Sequence, residues 1–191
     1  MKNLLNLFLS GLFFLYPILV FIGLRYIEPI YITITILFLV FIRLIILHNL
    51  NNFPLKRYVK FGMILIVPII FLGALYKEYD TVKLYPVIMN LALFIGFSVS
   101  LRSNATPIIE IIARKMQKTK NDFTLKATEY TRKVTIVWTI FFICNTLVSS
   151  YTVVSGDLEV WTVYNGLISY LIIGTIFGIE YIIRRRVIKN D

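Results

Sequence analysis

Cysteine and histidine each occur once in the 191 residues, and each scarcity closes off a class of chemistry. With Cys144 alone, no intrachain disulfide or thiolate metal cluster can form, and its place in an apolar run reads as a small packing residue. With His48 alone, there is no Ser-His-Asp set and no histidine-rich metal site, and no acid stands next to it. Glycine-rich phosphate loops and clustered aspartates are missing as well. Charge is sparse, at 16% of residues against 58% hydrophobic. No catalytic residue, metal ligand or cofactor site emerges, so the expectation is a protein that is not an enzyme. A membrane-embedded lipid-modifying enzyme is the weakest alternative.

What the chain has instead is a series of apolar runs near the length of about 20 residues that crosses a bilayer. Six spans are read: Leu4 to Leu24, Ile30 to Leu47, Val59 to Tyr76, Leu84 to Leu101, Val134 to Val154 and Val160 to Ile183. The expected fold is an all-α polytopic bundle of six transmembrane helices, a single integral membrane domain over residues 1–191. The first span follows only Lys2 and lacks an A-x-A-like cleavage site, so it reads as a retained signal anchor.

Basic residues set the expected orientation. On an even-span layout, all of the 20 Lys and Arg except Arg25, Lys77 and Lys83 fall on one face. Because Lys and Arg are held in the cytoplasm, both termini are expected there. The net charge of +10 is then a cytoplasmic surplus facing anionic lipid headgroups. No nucleic-acid-reading motif accompanies it, which argues against DNA or RNA as a partner.

Four of the five connections are short, and Pro29 and Pro54 punctuate two of them, as expected for antiparallel hairpins. The exception is the cytoplasmic loop at 103–129. There Thr106-Pro107 offers an N-cap with proline in the first turn. Ile108, Ile109, Ile111, Ile112 and Met116 then share one side of a helix, opposite Glu110, Arg114, Gln117 and Lys118. This predicts an interfacial amphipathic helix between spans four and five, with a short soluble helix packed on the bundle as the alternative.

Polar groups within the spans are the candidate site residues. Asn90, Asn145 and Asn165 fall at depths that let three amides meet, either as hydrogen-bonded glue between helices or as the lining of a substrate path. Glu180 stands four residues before Arg184, the favourable order for an intrahelical pair, or it meets Arg43 across the bundle. Gly166, Gly174 and Gly178 form a smooth stripe on the last span for close contact within the monomer, or alternatively for a homo-oligomer. Trp161, Tyr164, Tyr151, Tyr76 and Tyr79 are expected in an outer aromatic belt.

The strings Lys83-Leu-Tyr-Pro-Val-Ile-Met-Asn90, Tyr130-Thr-Arg-Lys-Val-Thr135 with Trp138, Phe141, Phe142 and Asn145, and Trp161-x-x-Tyr-Asn-Gly-Leu-Ile168 carry a resemblance. Together with Glu180, the arginines after it and Pro107-x-x-Glu110, they resemble a bacterial inner-membrane family encoded among aryl polyene and fatty-acid-like biosynthesis genes. The layout of an amphipathic helix, a Trp-x-x-Phe-Phe span and a final span is also similar, more remotely, to the intracellular septation protein A family. The resemblance implies the bacterial inner membrane and an envelope role, and it brings no catalytic residue.

Two functions are expected from these readings. One is a non-enzymatic membrane protein that supports envelope or lipid/polyene biosynthesis by scaffolding partner proteins. The alternative is a small transporter or flippase for a lipid or aryl polyene intermediate, with the three amides lining its path.

Overall fold

A computed structural model describes residues 21–22, 29–49, 56–75, 79–116 and 124–189. The first span therefore lies outside the described residues but for Phe21 and Ile22. Among the described residues all regular structure is helical. Helix α1 spans Pro29–Asn49 and α2 Lys56–Leu75; a 3₁₀ turn, Tyr79–Leu84, leads into α3, Tyr85–Ser100. Helix α4 is Ile108–Met116, α5 Leu125–Val154 and α6 Leu158–Val163; a π-turn, Tyr164–Ile168, joins α6 to α7, Ser169–Lys189.

Three stretches are long and apolar enough to cross a membrane: Thr81–Ser100, Leu125–Val154 and Leu158–Arg185. Helix α5 shows what kind of solvent the surface expects. Its buried face carries Thr131, Val134, Thr135, Trp138, Phe141, Phe142, Asn145, Thr146, Ser149 and Thr152. Its exposed face carries Ile136, Val137, Ile140, Leu147, Val148 and Val154. The inside is thus more polar than the outside, the reverse of a water-soluble helix and the arrangement that hydrocarbon favours. The hydroxyls find partners within the helix, since Thr131, Thr135, Thr139, Thr146 and Ser150 each donate to a carbonyl four residues back.

Helix α5 begins nine residues before the span read from hydropathy, and at 30 residues it extends to about 45 Å. That exceeds a hydrocarbon layer about 30 Å thick, and the first turns carry the charged Lys126, Glu129, Arg132 and Lys133. Thr124 caps this end by accepting from the Ala127 amide at 3.2 Å. At the other end Asp157 caps α6, accepting from the amides of Glu159 and Val160.

The core lies where α1, α2, α3 and α5 meet. Val40, Met63, Ile66, Ile70, Phe97, Trp138, Phe141 and Phe142 are all buried there. Rings organise its centre: Trp138 stands 5.7 Å from both Phe141 and Phe142, and Phe97 stands 5.1 Å from Phe142. Phe177 on α7 adds a contact to Trp138 at 4.7 Å. Gly62 lets α2 and α3 approach closely, since a Cβ there would lie 3.0 Å from that of Ala92.

Helix α4 corrects two expectations. It docks on α5, with Pro107, Ile108 and Glu110 buried and Ile109 and Ile112 packed against the core. The packed side takes up the face that the sequence assigned to the leaflet. Glu110, expected on the wet side, is only 5% exposed and pairs with Arg114. The hydroxyl at its start is Ser100, not Thr106: Ser100 Oγ accepts from the Ile108 amide at 3.3 Å. Arg132 holds the same corner by donating to the Leu101 carbonyl at 2.9 Å, where the α3 dipole is negative.

Candidate functional site

The amides sit where α3, α5 and the α6–α7 junction converge. Asn145 is buried on α5 and makes three side-chain bonds. Its Nδ2 donates to Asn90 Oδ1 at 3.0 Å and to Ser169 Oγ at 3.3 Å, and its Oδ1 accepts from the Tyr164 hydroxyl at 2.8 Å. Asn90 turns its own Nδ2 back to the Pro86 carbonyl at 2.7 Å. Proline at position 86 leaves no conflict there, because a helix begins at Tyr85 and its first amides lack intrahelical acceptors in any case.

The π-turn explains how one asparagine reaches both Tyr164 and Ser169. In a regular α-helix, side chains five residues apart point about 140° apart. The wider turn closes on Ser169 N–H to Tyr164 carbonyl, five residues apart, and swings the two side chains to one side. Both then meet the same amide of α5.

Asn165 heads a second, adjoining network. Its Oδ1 accepts from Ser149 at 2.7 Å, and its Nδ2 donates to Thr152 Oγ1 at 3.2 Å and to the Trp161 carbonyl at 2.9 Å. Trp161, fully buried, donates Nε1 to the Lys83 carbonyl at 3.2 Å and so ties α6 to the turn before α3. The three amides therefore do not form one cluster: Asn90 and Asn145 bond directly, and Asn165 works one turn away through Ser149. Among the described residues no buried side-chain polar atom lacks a partner.

Two aromatic assignments change. Trp161 is buried inside the bundle and Tyr164 is half-buried against Asn145, so both face protein rather than the surface; Tyr151 is exposed as expected. Tyr76 lies outside the described residues, as does the Tyr79 side chain.

Glu180 forms the other candidate centre. Its carboxylate lies 3.7 Å from Arg184, the local pair that the spacing predicts. Tyr130 on α5 adds an unforeseen link: its hydroxyl reaches the Glu180 carbonyl at 3.0 Å and Oε1 at 3.3 Å. The Arg43 side chain lies outside the described residues, so the cross-bundle pair does too. Arg185 stacks over the Tyr181 ring at 5.2 Å, a cation–π contact rather than a binding site.

Among the described residues, the glycine stripe meets no neighbouring helix at two of its three positions. A Cβ on Gly174 or Gly178 would meet nothing within 4 Å among the described residues, and both positions are exposed. Gly166 instead falls inside the π-turn. No group of three His, Cys, Asp or Glu capable of holding a metal occurs among the described residues.

A groove of about 540 Å³ opens elsewhere, between α2 and α3, lined by Arg57, Tyr58, Lys60, Phe61, Ile64, Ala92, Ile95 and Val99. None of the three amides borders it. Ser149, Thr152, Tyr164, Ser169 and Tyr130 are the site residues that sequence reasoning missed; the hydroxyl spacing along the inner face of α5, in register with Asn145, was the available signal.

No family model, curated protein or solved structure matches this chain.

Proposed function

We propose that the chain is a six-helix protein of the bacterial inner membrane, with both termini cytoplasmic, that works without catalysis. It supports envelope or lipid/polyene biosynthesis by holding partner proteins at the membrane. The closed hydrogen bonding of Asn90, Asn145 and Asn165 carries this reading: each amide is occupied by a group of the protein itself, so the polar centre joins helices and needs no cargo. In an apolar medium such amides find partners across helices, each contact contributing about 0.6 to 2 kcal/mol. The resemblance to inner-membrane proteins of aryl polyene clusters supplies the setting, and the basic surplus of the proposed cytoplasmic face supplies a surface for partners.

The test is in-cell crosslinking of the full chain followed by identification of captured proteins, together with deletion of the gene. Reproducible recovery of synthesis proteins and an altered envelope are expected. Recovery of none, with a normal envelope, contradicts the scaffold.

The second reading, a small flippase, draws on the π-turn beside the amides, since such turns occur at functional sites. It requires export of a lipid or polyene intermediate to collapse when all three amides become Leu in a chain that still folds. Unchanged export removes it.

A further inference from the structure

The groove between α2 and α3 is built from two kinds of surface. At one end stand Arg57 and Lys60, in the first turns of α2. Beyond them run Phe61 and Ile64 from α2 and Ile95 and Val99 from α3, with buried Ala92 as the floor. The small pair Gly62 and Ala92 draws the helices together beneath, and the larger side chains on either side rise as walls. From Arg57 to Ile64 the helix advances about 10 Å, so the cationic end and the far end of the apolar trough are about two turns apart and share an axis.

Neither Arg57 nor Lys60 makes an ion pair within the described residues, and the lining contains no acid. A cationic rim without a counter-charge above an apolar trough matches an anionic amphiphile and mismatches a neutral one. Phe61, Ile64 and Ile95 are 59%, 54% and 40% exposed, which leaves the trough open sideways to the hydrocarbon from which a lipid would enter.

We infer that this groove holds one anionic phospholipid, its phosphate between Arg57 and Lys60 and the upper part of an acyl chain along Phe61, Ile64 and Ile95. The inference rests on α2 crossing the membrane, as in the proposed topology. It names a defined lipid site rather than general attraction to a charged leaflet.

The experiment reconstitutes the full chain in phosphatidylcholine nanodiscs containing a trace of phosphatidylglycerol with a diazirine in its acyl chain. After irradiation, labelled residues are mapped by peptide mass spectrometry. Labels are expected to concentrate on Phe61, Ile64 and Ile95, to be competed away by unlabelled phosphatidylglycerol, and to resist added phosphatidylcholine and inorganic phosphate. Replacing both basic residues, Arg57→Gln with Lys60→Gln, removes two surface charges and is expected to raise the competing concentration about 30-fold. Ile95→Trp, at an exposed position, fills the trough and is expected to abolish labelling of Ile64 with the basic residues intact.

Equal labelling by a phosphatidylcholine probe, labels spread evenly to Ile140 and Leu171, displacement by inorganic phosphate alone, or a protein crosslinked in the groove would each overturn the site. Failure of the topology reads differently: α2 would then carry no label from either probe, while Ile140 and Leu171 still would.

Discussion

The Asn145 centre and the Glu180 centre hold the same two helices, α5 and α7, by opposite means. At Asn145 the groups are neutral, buried and non-local, and three chain segments converge on one amide. At Glu180 the groups include charges and are half-buried, and the ionic contact with Arg184 is local to one helix; among the described residues Tyr130 reaches across. Desolvation explains the division. A neutral amide can be taken into a low-dielectric contact once its bonds are satisfied, whereas a carboxylate retains water unless fully paired. Between α5 and α7 the fold accordingly relies on amides at one level and leaves the charged contact near the end of α7.

The comparison breaks first at Asn145. Asn145→Leu removes three bonds and leaves Tyr164 and Asn90 without their partner, so unfolding in mixed micelles is expected to become easier by about 3 kcal/mol. A loss below about 1 kcal/mol would mean that the network contributes little. Asn165→Leu leaves the Ser149 hydroxyl without its acceptor and removes the donors to Thr152 and the Trp161 carbonyl, and is expected to lose about 2 kcal/mol in the same assay. Equal effects at both amides would point to one cluster rather than two.

At the other centre, Tyr130→Phe deletes the non-local link to Glu180 seen among the described residues and is expected to weaken the fold by about 1 kcal/mol or less. A larger loss would place Glu180 on a par with Asn145 and erase the contrast. Smallest is Gly178→Ala. Among the described residues nothing stands where its Cβ would go, so the monomer is expected to gain roughly 0.5 kcal/mol from helix propensity. A marked loss, accompanied by a change in oligomeric size, would show the exposed stripe to be an interface between copies.

Helicity, the apolar runs and the local Glu180–Arg184 pair were legible in the sequence because each rests on spacing along one helix. Depth allowed all three amides to meet, of which Asn90 and Asn145 bond directly while Asn165 joins a separate network. Beyond that, pattern reading failed where tertiary geometry decides. A π-turn changes the direction of Tyr164 and Ser169 without altering composition, so their convergence on Asn145 has no linear signature. Trp161 looked like a boundary residue because hydropathy reports distance along the chain, whereas its burial depends on α6 lying against the turn before α3. Glu110 was placed on the wet side because a helical wheel omits the neighbour that covers it.

The central claim is that the paired amides Asn90 and Asn145 are a lock between helices. It is tested most directly by a double-mutant cycle on the unfolding free energy, using Asn90→Ala, Asn145→Ala and their combination. A direct bond across two helices predicts a coupling of about 1 kcal/mol between the substitutions. Additive losses, with coupling indistinguishable from zero, would contradict the lock.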